Sequence, residues 1–242
     1  KSDNMLWRLH AQRLLIERGH TSDIEEQLKS LTENKNADEI GQNAQAVHAL
    51  WTLAGIGAMD DRDSDAAVYA SMALENPSAA VRCAAIASLP DEADVVTMLS
   101  HAGVLSDDNA QVRLAALLKL SSIAVQSNDE VGVALARALV GESTGGDPWL
   151  LDAVTSAAAK HDVSFLKAIS QQESDVSPAG LDRISIIGEH FARGKPSSAA
   201  LSQILSALAA GNPTINAKIV SGMASGWQKA HTVELSNDDD EA

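Results

Sequence analysis

The 242-residue chain carries 33 acidic against 18 basic side chains, a formal charge of −15 that repels nucleic acid and anionic lipid at long range and disfavours both as partners. Hydrophobic residues make up 45 % but aromatics only 3 %, so the interior is built from Ala, Leu, Val and Ile; such small side chains suit closely packed helices and argue against a sandwich or barrel. No apolar run approaches the roughly 20 residues of a membrane span, since even the stretch 199–210 is interrupted by Ser202, Gln203 and Ser206.

An all-α fold follows, and its helices can be placed in order. Asn4 caps a helix over 5–18 that Gly19 stops, and a second runs from Ser22 to Thr32 with Ile24, Leu28 and Leu31 at helical spacing. After the polar linker 33–41, a helix over 43–54 turns Ala46, Ala49, Leu50 and Leu53 to a core. Gly55 and Gly57 end it. The acid-rich loop 60–65 leads into a helix over 66–74, and Asn76-Pro77 opens the next.

From there one pattern is written twice. Asn76-Pro77-Ser78-Ala79-Ala80-Val81-Arg82-Cys83-Ala84-Ala85-Ile86-Ala87-Ser88-Leu89 returns thirty-one residues later as Asp107 to Leu120, each copy reducing to a capping side chain and then Val-Arg-x-Ala-Ala-apolar-x-x-Leu. Helices over 78–89 and 110–124 pair with helices over 92–101 and 130–140. Beyond the linker 141–147, Pro148, Pro178 and Pro213 each start a helix, to about 160, 192 and 229, with partners over 163–171 and 197–209. Those prolines are spaced by 30 and 35 residues, so the period persists after the Val-Arg signature has gone.

Alternating helices at this period predict an α-solenoid of about six helical hairpins plus a terminal helix over residues 1–231, with 232–242 an acidic disordered tail or linker. The motif resembles HEAT-type repeats. In that family the acidic or amide residue and the arginine form a ladder between repeats, a role the resemblance gives to Asn76, Arg82, Asp107 and Arg113. Narrower is the likeness of 7–19 and 46–53, led by Asp38-Glu39-Ile40-Gly41, to the repeat region of large bacterial PVC-type haem-binding proteins. These join a sugar-dehydrogenase-like propeller, a HEAT-type array and a c-type cytochrome. The resemblance implies a periplasmic, multidomain redox parent of which this chain is a piece, in keeping with its start at Lys1-Ser2-Asp3. No Cys-x-x-Cys-His occurs, since Cys83 is the only cysteine, so the chain itself is expected to hold no cofactor.

Candidate chemistry is sparse. Gly141-Glu142-Ser143-Thr144-Gly145 fits the serine-hydrolase string but lies between helices, without the strand that makes an elbow. Asp61, Asp63 and Asp65 alternate like the first ligands of a calcium loop. Ala66 and Met72 stand where the EF-hand wants Gly and Glu, which leaves a looser divalent site or a solvated loop that caps the next helix. None of the seven histidines has zinc-helix spacing, and all are expected at the surface or at helix ends. Cys83 reads as a small core residue. Trp7 and Trp51 fall at core spacing and are expected to pack, whereas Trp149, just after Pro148, is either a contact hot spot or inter-repeat packing. The expected function is a non-catalytic interaction or scaffold module with a protein partner or neighbouring domains of the same polypeptide. The acidic balance favours a basic partner surface; the alternative is a spacer within a sugar-dehydrogenase/cytochrome c enzyme whose catalytic domains lie elsewhere.

Overall fold

In a computed structural model of the chain the helices begin where the sequence supplies an oxygen-bearing side chain. Residues 4–60, 64–123, 129–141, 144 and 146–233 are described. Asn4 Oδ1 accepts from Leu6 N, Asn43 Oδ1 from Ala46 N, Ser64 Oγ from Ala67 N and Ser177 Oγ from Gly180 N, each satisfying a first-turn N–H that has no partner inside its helix. Pro148, Pro178 and Pro213 occupy the first helical position behind Asp147, Ser177 and Asn212, where a missing N–H costs nothing. Every described element is helical and no strand occurs among the described residues.

The chain divides into two compact units, Lys1–Lys119 and Leu120–Ala242. In the first, α1 (Met5–Arg18), α2 (Ser22–Thr32), α3 (Ala44–Gly55), α4 (Asp65–Met72), α5 (Ala79–Ser88) and α6 (Ala93–His101) precede α7 (Ala110–Ser122), within which the division falls. Helix α3 packs against α1, α2 and α5, and its Ala46, Ala49, Leu50 and Leu53 are fully buried. Small side chains on that face let three neighbours approach one helix. The helix expected over 66–74 is α4 as far as Met72, after which Ala73–Glu75 tightens into a 3₁₀ turn that buries Leu74. Gly103, at φ 68°, reverses the chain after α6, a backbone conformation that only glycine adopts freely.

The second unit contains α8 (Asp129–Val140), α9 (Pro148–Lys160), α10 (Asp162–Ser170), α11 (Pro178–Arg193), α12 (Ser198–Ala209) and α13 (Pro213–Gly226). Helices α8 and α10 meet at Gly132, where a side chain would run into the Ser164 carbonyl. Closer still is the pair α11 and α13. Gly222 and Gly226, one turn apart, sit against the Ser185 and Glu189 backbone, and Gly188 returns the contact against the Ile219 carbonyl. Around them Ile184, Ile187, Phe191, Ile215 and Ile219 are buried, so glycine brings the backbones together and branched side chains close the flanks. The last helix ends at Gly226, three residues before the expected end. Trp227 turns extended there, its N–H still bonded to the Met223 carbonyl and its Nε1 donating to the His231 carbonyl at 3.0 Å.

Candidate interaction surface

The two copies of the Val-Arg motif are built alike. Asn76 Oδ1 accepts from Ser78 N at 3.0 Å and Asp107 Oδ1 from Asn109 N at 2.8 Å, so each copy opens in a side-chain turn. One helical turn in, each arginine folds back on its own opening: Arg82 Nη1 donates to the Asn76 carbonyl at 2.8 Å, and Arg113 Nη1 to the Asp107 carbonyl at 2.6 Å. Arg82 does more. Its Nε and Nη2 donate to the two Asp107 carboxylate oxygens at 2.7 and 2.8 Å, a two-pronged bridge from the first copy to the second. Burial pushes the Asp107 carboxyl up, but the Arg82 guanidinium and the Asn109 N–H outweigh it and hold the group below the usual carboxylate range. Asn76 sends its amide to the Asn34 carbonyl, where Asn43 Nδ2 also donates.

The other sequence candidates are scattered. Asp65 begins α4 and accepts from Lys29 Nζ at 3.2 Å, while Asp61 and Asp63 lie outside the described residues. No group of three or more His, Cys, Asp and Glu fit for a metal occurs among the described residues. Ser143, Glu142 and Gly145 also lie outside them, as does the acidic run 234–241; Thr144 is buried. Cys83 is half-buried, and desolvation pushes its thiol up, away from the reactive thiolate.

His161 lies at a helix end, one of the two places expected of it, and is buried there, being 2 % exposed in the one-residue joint between α9 and α10. Its Nε2 lies 3.0 Å from the Leu120 carbonyl, an acceptor, so that nitrogen carries the proton; Nδ1 is buried with no partner. Burial, only partly opposed by that carbonyl, holds the ring below its ordinary pKa and therefore neutral.

Two of the tryptophans depart from expectation. Trp7 is 60 % exposed and Trp51 41 %, so core spacing does not translate into burial at either, and Trp149 is 75 % exposed rather than packed. Trp7 has company. Met5, Leu6, Leu9 and Leu14 on the same helix are each about half exposed or more, and no residue of α1 is buried. Where α1 leans on α2 and α3 the surface dips into an apolar groove of about 200 Å³ between Trp7, Ala11, Leu15, Leu28 and Leu31, with Arg8 its one charged lining residue. His48 Nδ1 donates to Gln12 Oε1 at 2.7 Å along its side, and burial, with Arg8 beside it, lowers the His48 pKa, keeping that wall neutral. A second cleft, of about 500 Å³, lies between Glu33, Lys35, Tyr69 and Glu75 and is mixed in charge. Among the described residues no helix is long and apolar enough to cross a membrane.

Sequence pattern had no means of finding the α1 groove. Helical spacing shows which side chains share a face, not whether another element covers it. Comparison of the chain with known protein families, with curated proteins and with solved structures returns no match.

Proposed function

We propose that the chain is a HEAT-type α-solenoid array that works as a non-catalytic interaction or scaffold module, joining a protein partner or neighbouring domains of a larger extracytoplasmic redox polypeptide. The array reading rests on the repeated motif, whose first arginine bridges to the acid that opens the second copy. The observation that carries the interaction role is the face of α1. Five large apolar side chains lie exposed within ten residues, beside an apolar groove, whereas α5 buries its Val81 and Ile86. Exposed apolar side chains in this number beside an apolar groove mark a protein contact. A groove with a single cation suits an apolar helix face, with the acidic remainder of the surface steering a basic partner towards it.

The test replaces Trp7 or Leu14 with a photo-crosslinking phenylalanine analogue in the full-length polypeptide, with exposed Gln203 as the control position. Adducts to one partner or neighbouring domain from positions 7 and 14 alone are expected. Their loss from position 7 in Leu14→Glu, and from position 14 in Trp7→Glu, at unchanged melting temperature, completes the argument. Equal labelling from position 203, or none from α1, refutes the interface.

A further inference from the structure

One stripe of the repeat is closed in two helices and open in a third. The Val-Arg motif lays Val81, Ala84, Ala85 and Ser88 along α5, and all four are buried in a helix packed against α3, α4 and the 3₁₀ turn Ala73–Glu75. In the second copy of the motif Val112 and Ala116 are buried as well. On α1 the same positions fall to Trp7, His10, Ala11 and Leu14, since Trp7-Arg8, Ala11 and Leu15 align with Val81-Arg82, Ala85 and Leu89. There all four are exposed. Helix α1 packs against α3 and carries the stripe of a covered helix with no described element over it.

The side chains of the stripe say what fits it. None is a carboxylate, ammonium or guanidinium; Arg13 and Glu17 beside it pair with each other at 3.2 Å, and Arg8 lines the groove. Where α5 has Val, Ala and Ser, α1 has Trp, His and Leu, so the cover meets large apolar groups. The Trp7 and His10 rings meet edge to face with centroids 6.2 Å apart, and the exposed Leu6 extends the apolar surface beside them. A spacing of i, i+3, i+4, i+7 reads alike in both directions along a helix. An antiparallel second copy centred between His10 and Ala11 therefore sets Trp7 against the second copy's Leu14 and His10 against its Ala11, and the two-fold axis repeats both contacts. Each pair opposes a ring to an aliphatic group.

We infer that α1 is covered by α1 of a second copy, in an antiparallel, two-fold pair. The inference rests on the reading of α1 as an interaction face and names one occupant for it. With about 200 Å² for a tryptophan side chain and somewhat less for a leucine, Trp7, Leu6, Leu14 and the groove wall offer on the order of 500 Å² per copy, against about 800 Å² for a standard interface. The pair is therefore weak, with a Kd on the order of 10–100 μM. Each copy carries a charge of −15, which opposes association at long range. Salt screens that repulsion and leaves the apolar contact intact, so added salt strengthens the pair. Attraction between the acidic surface and a basic partner has the opposite salt dependence.

Sedimentation velocity of the full chain from 5 to 500 μM tests it. A monomer–dimer equilibrium is expected at 500 mM salt, with a Kd at least threefold higher at 50 mM, and Trp7→Glu or Leu14→Glu abolishes it at unchanged melting temperature. Register is read from disulfides in a Cys83→Ser background. Ala11→Cys is expected to link to itself. Trp7→Cys is expected to link to Leu14→Cys, in a mixture of the two chains, at least fivefold more than to itself, because the two copies of position 7 stand roughly 10 Å apart along the axis, beyond the roughly 7 Å that a disulfide spans. A monomer at 500 μM in both salts, a dimer that salt weakens or that both glutamate variants leave untouched, or self-linking of Trp7→Cys equal to that of the mixture overturns the pair. A monomeric chain whose positions 7 and 14 still crosslink to a different protein overturns the pair alone and leaves the interaction reading of α1 standing.

Discussion

Replacing Gly222 with alanine tests the α11–α13 packing most directly. An alanine methyl there overlaps the Ser185 carbonyl oxygen and stands 2.9 Å from its carbon and 3.1 Å from Glu189 N. Carbon atoms in contact need about 3.5 Å, so α13 must withdraw by at least about 0.6 Å, and both obstacles are backbone, unable to swing aside. Overpacking of this kind costs about 3 kcal/mol, offset by about 1 kcal/mol for the better helix propensity of alanine. The net loss of about 2 kcal/mol corresponds to a fall of about 8 °C in melting temperature for a unit of this size. Circular dichroism measures the melt, and hydrogen exchange localises the weakening to 178–226. Gly146→Ala is the control, since a methyl there meets nothing within 4 Å and no positive φ is involved. A Gly222→Ala chain that melts within 1 °C of the parent refutes the backbone contact.

Other outcomes follow from the ion pairs and buried groups. Arg82→Ala leaves Asp107 largely desolvated without its bridge and is expected to cost about 2 kcal/mol; a melting temperature within 1 °C of the parent refutes the bridge. Because the folded Asp107 pKa is depressed, its contribution is complete above the unfolded carboxylate pKa and is lost as pH falls through the folded value. The acid-induced loss of stability below about pH 4 is therefore shallower in Arg82→Ala than in the parent. His161 has the opposite character, a base held neutral: stability of the second unit falls as pH drops below about 6.5, where the unfolded ring takes up a proton that the folded ring resists. His161→Gln, which keeps a donor for the Leu120 carbonyl, flattens that slope in urea melts between pH 7 and 5; an unchanged slope rules His161 out as its source. Iodoacetamide alkylates Cys83 more slowly than it does glutathione at pH 8, and equal rates contradict the raised thiol pKa.

Helix positions were legible in the sequence because caps and prolines act locally. Asn4, Asn43, Asp147-Pro148 and Asn212-Pro213 satisfy or dispense with first-turn N–H groups whatever lies around them, and the helices begin there. Ends were less legible. Leu74 leaves α4 for a 3₁₀ turn in which it is buried, and Trp227 leaves α13 with its Nε1 bonded to the His231 carbonyl beyond the helix. Burial was the weakest reading: Trp7 has the spacing of Val81, yet Val81 is enclosed and Trp7 is not. His161 is at a helix end, as the sequence allowed, but its burial there was not legible from its position in the chain. The placement of Gln228 and His231 against the Arg193 and Pro196 carbonyls depends on hydrogen bonds across more than thirty residues, which no local pattern encodes.

The glycine contact between α11 and α13 has a mechanical consequence. Helices separated by long side chains can roll and slide, because those side chains act as bearings that re-seat as the axes turn. Glycine set against a carbonyl removes the bearing. Helix α13 is then held to α11 backbone against backbone, and a load applied to α13 is passed directly to α11.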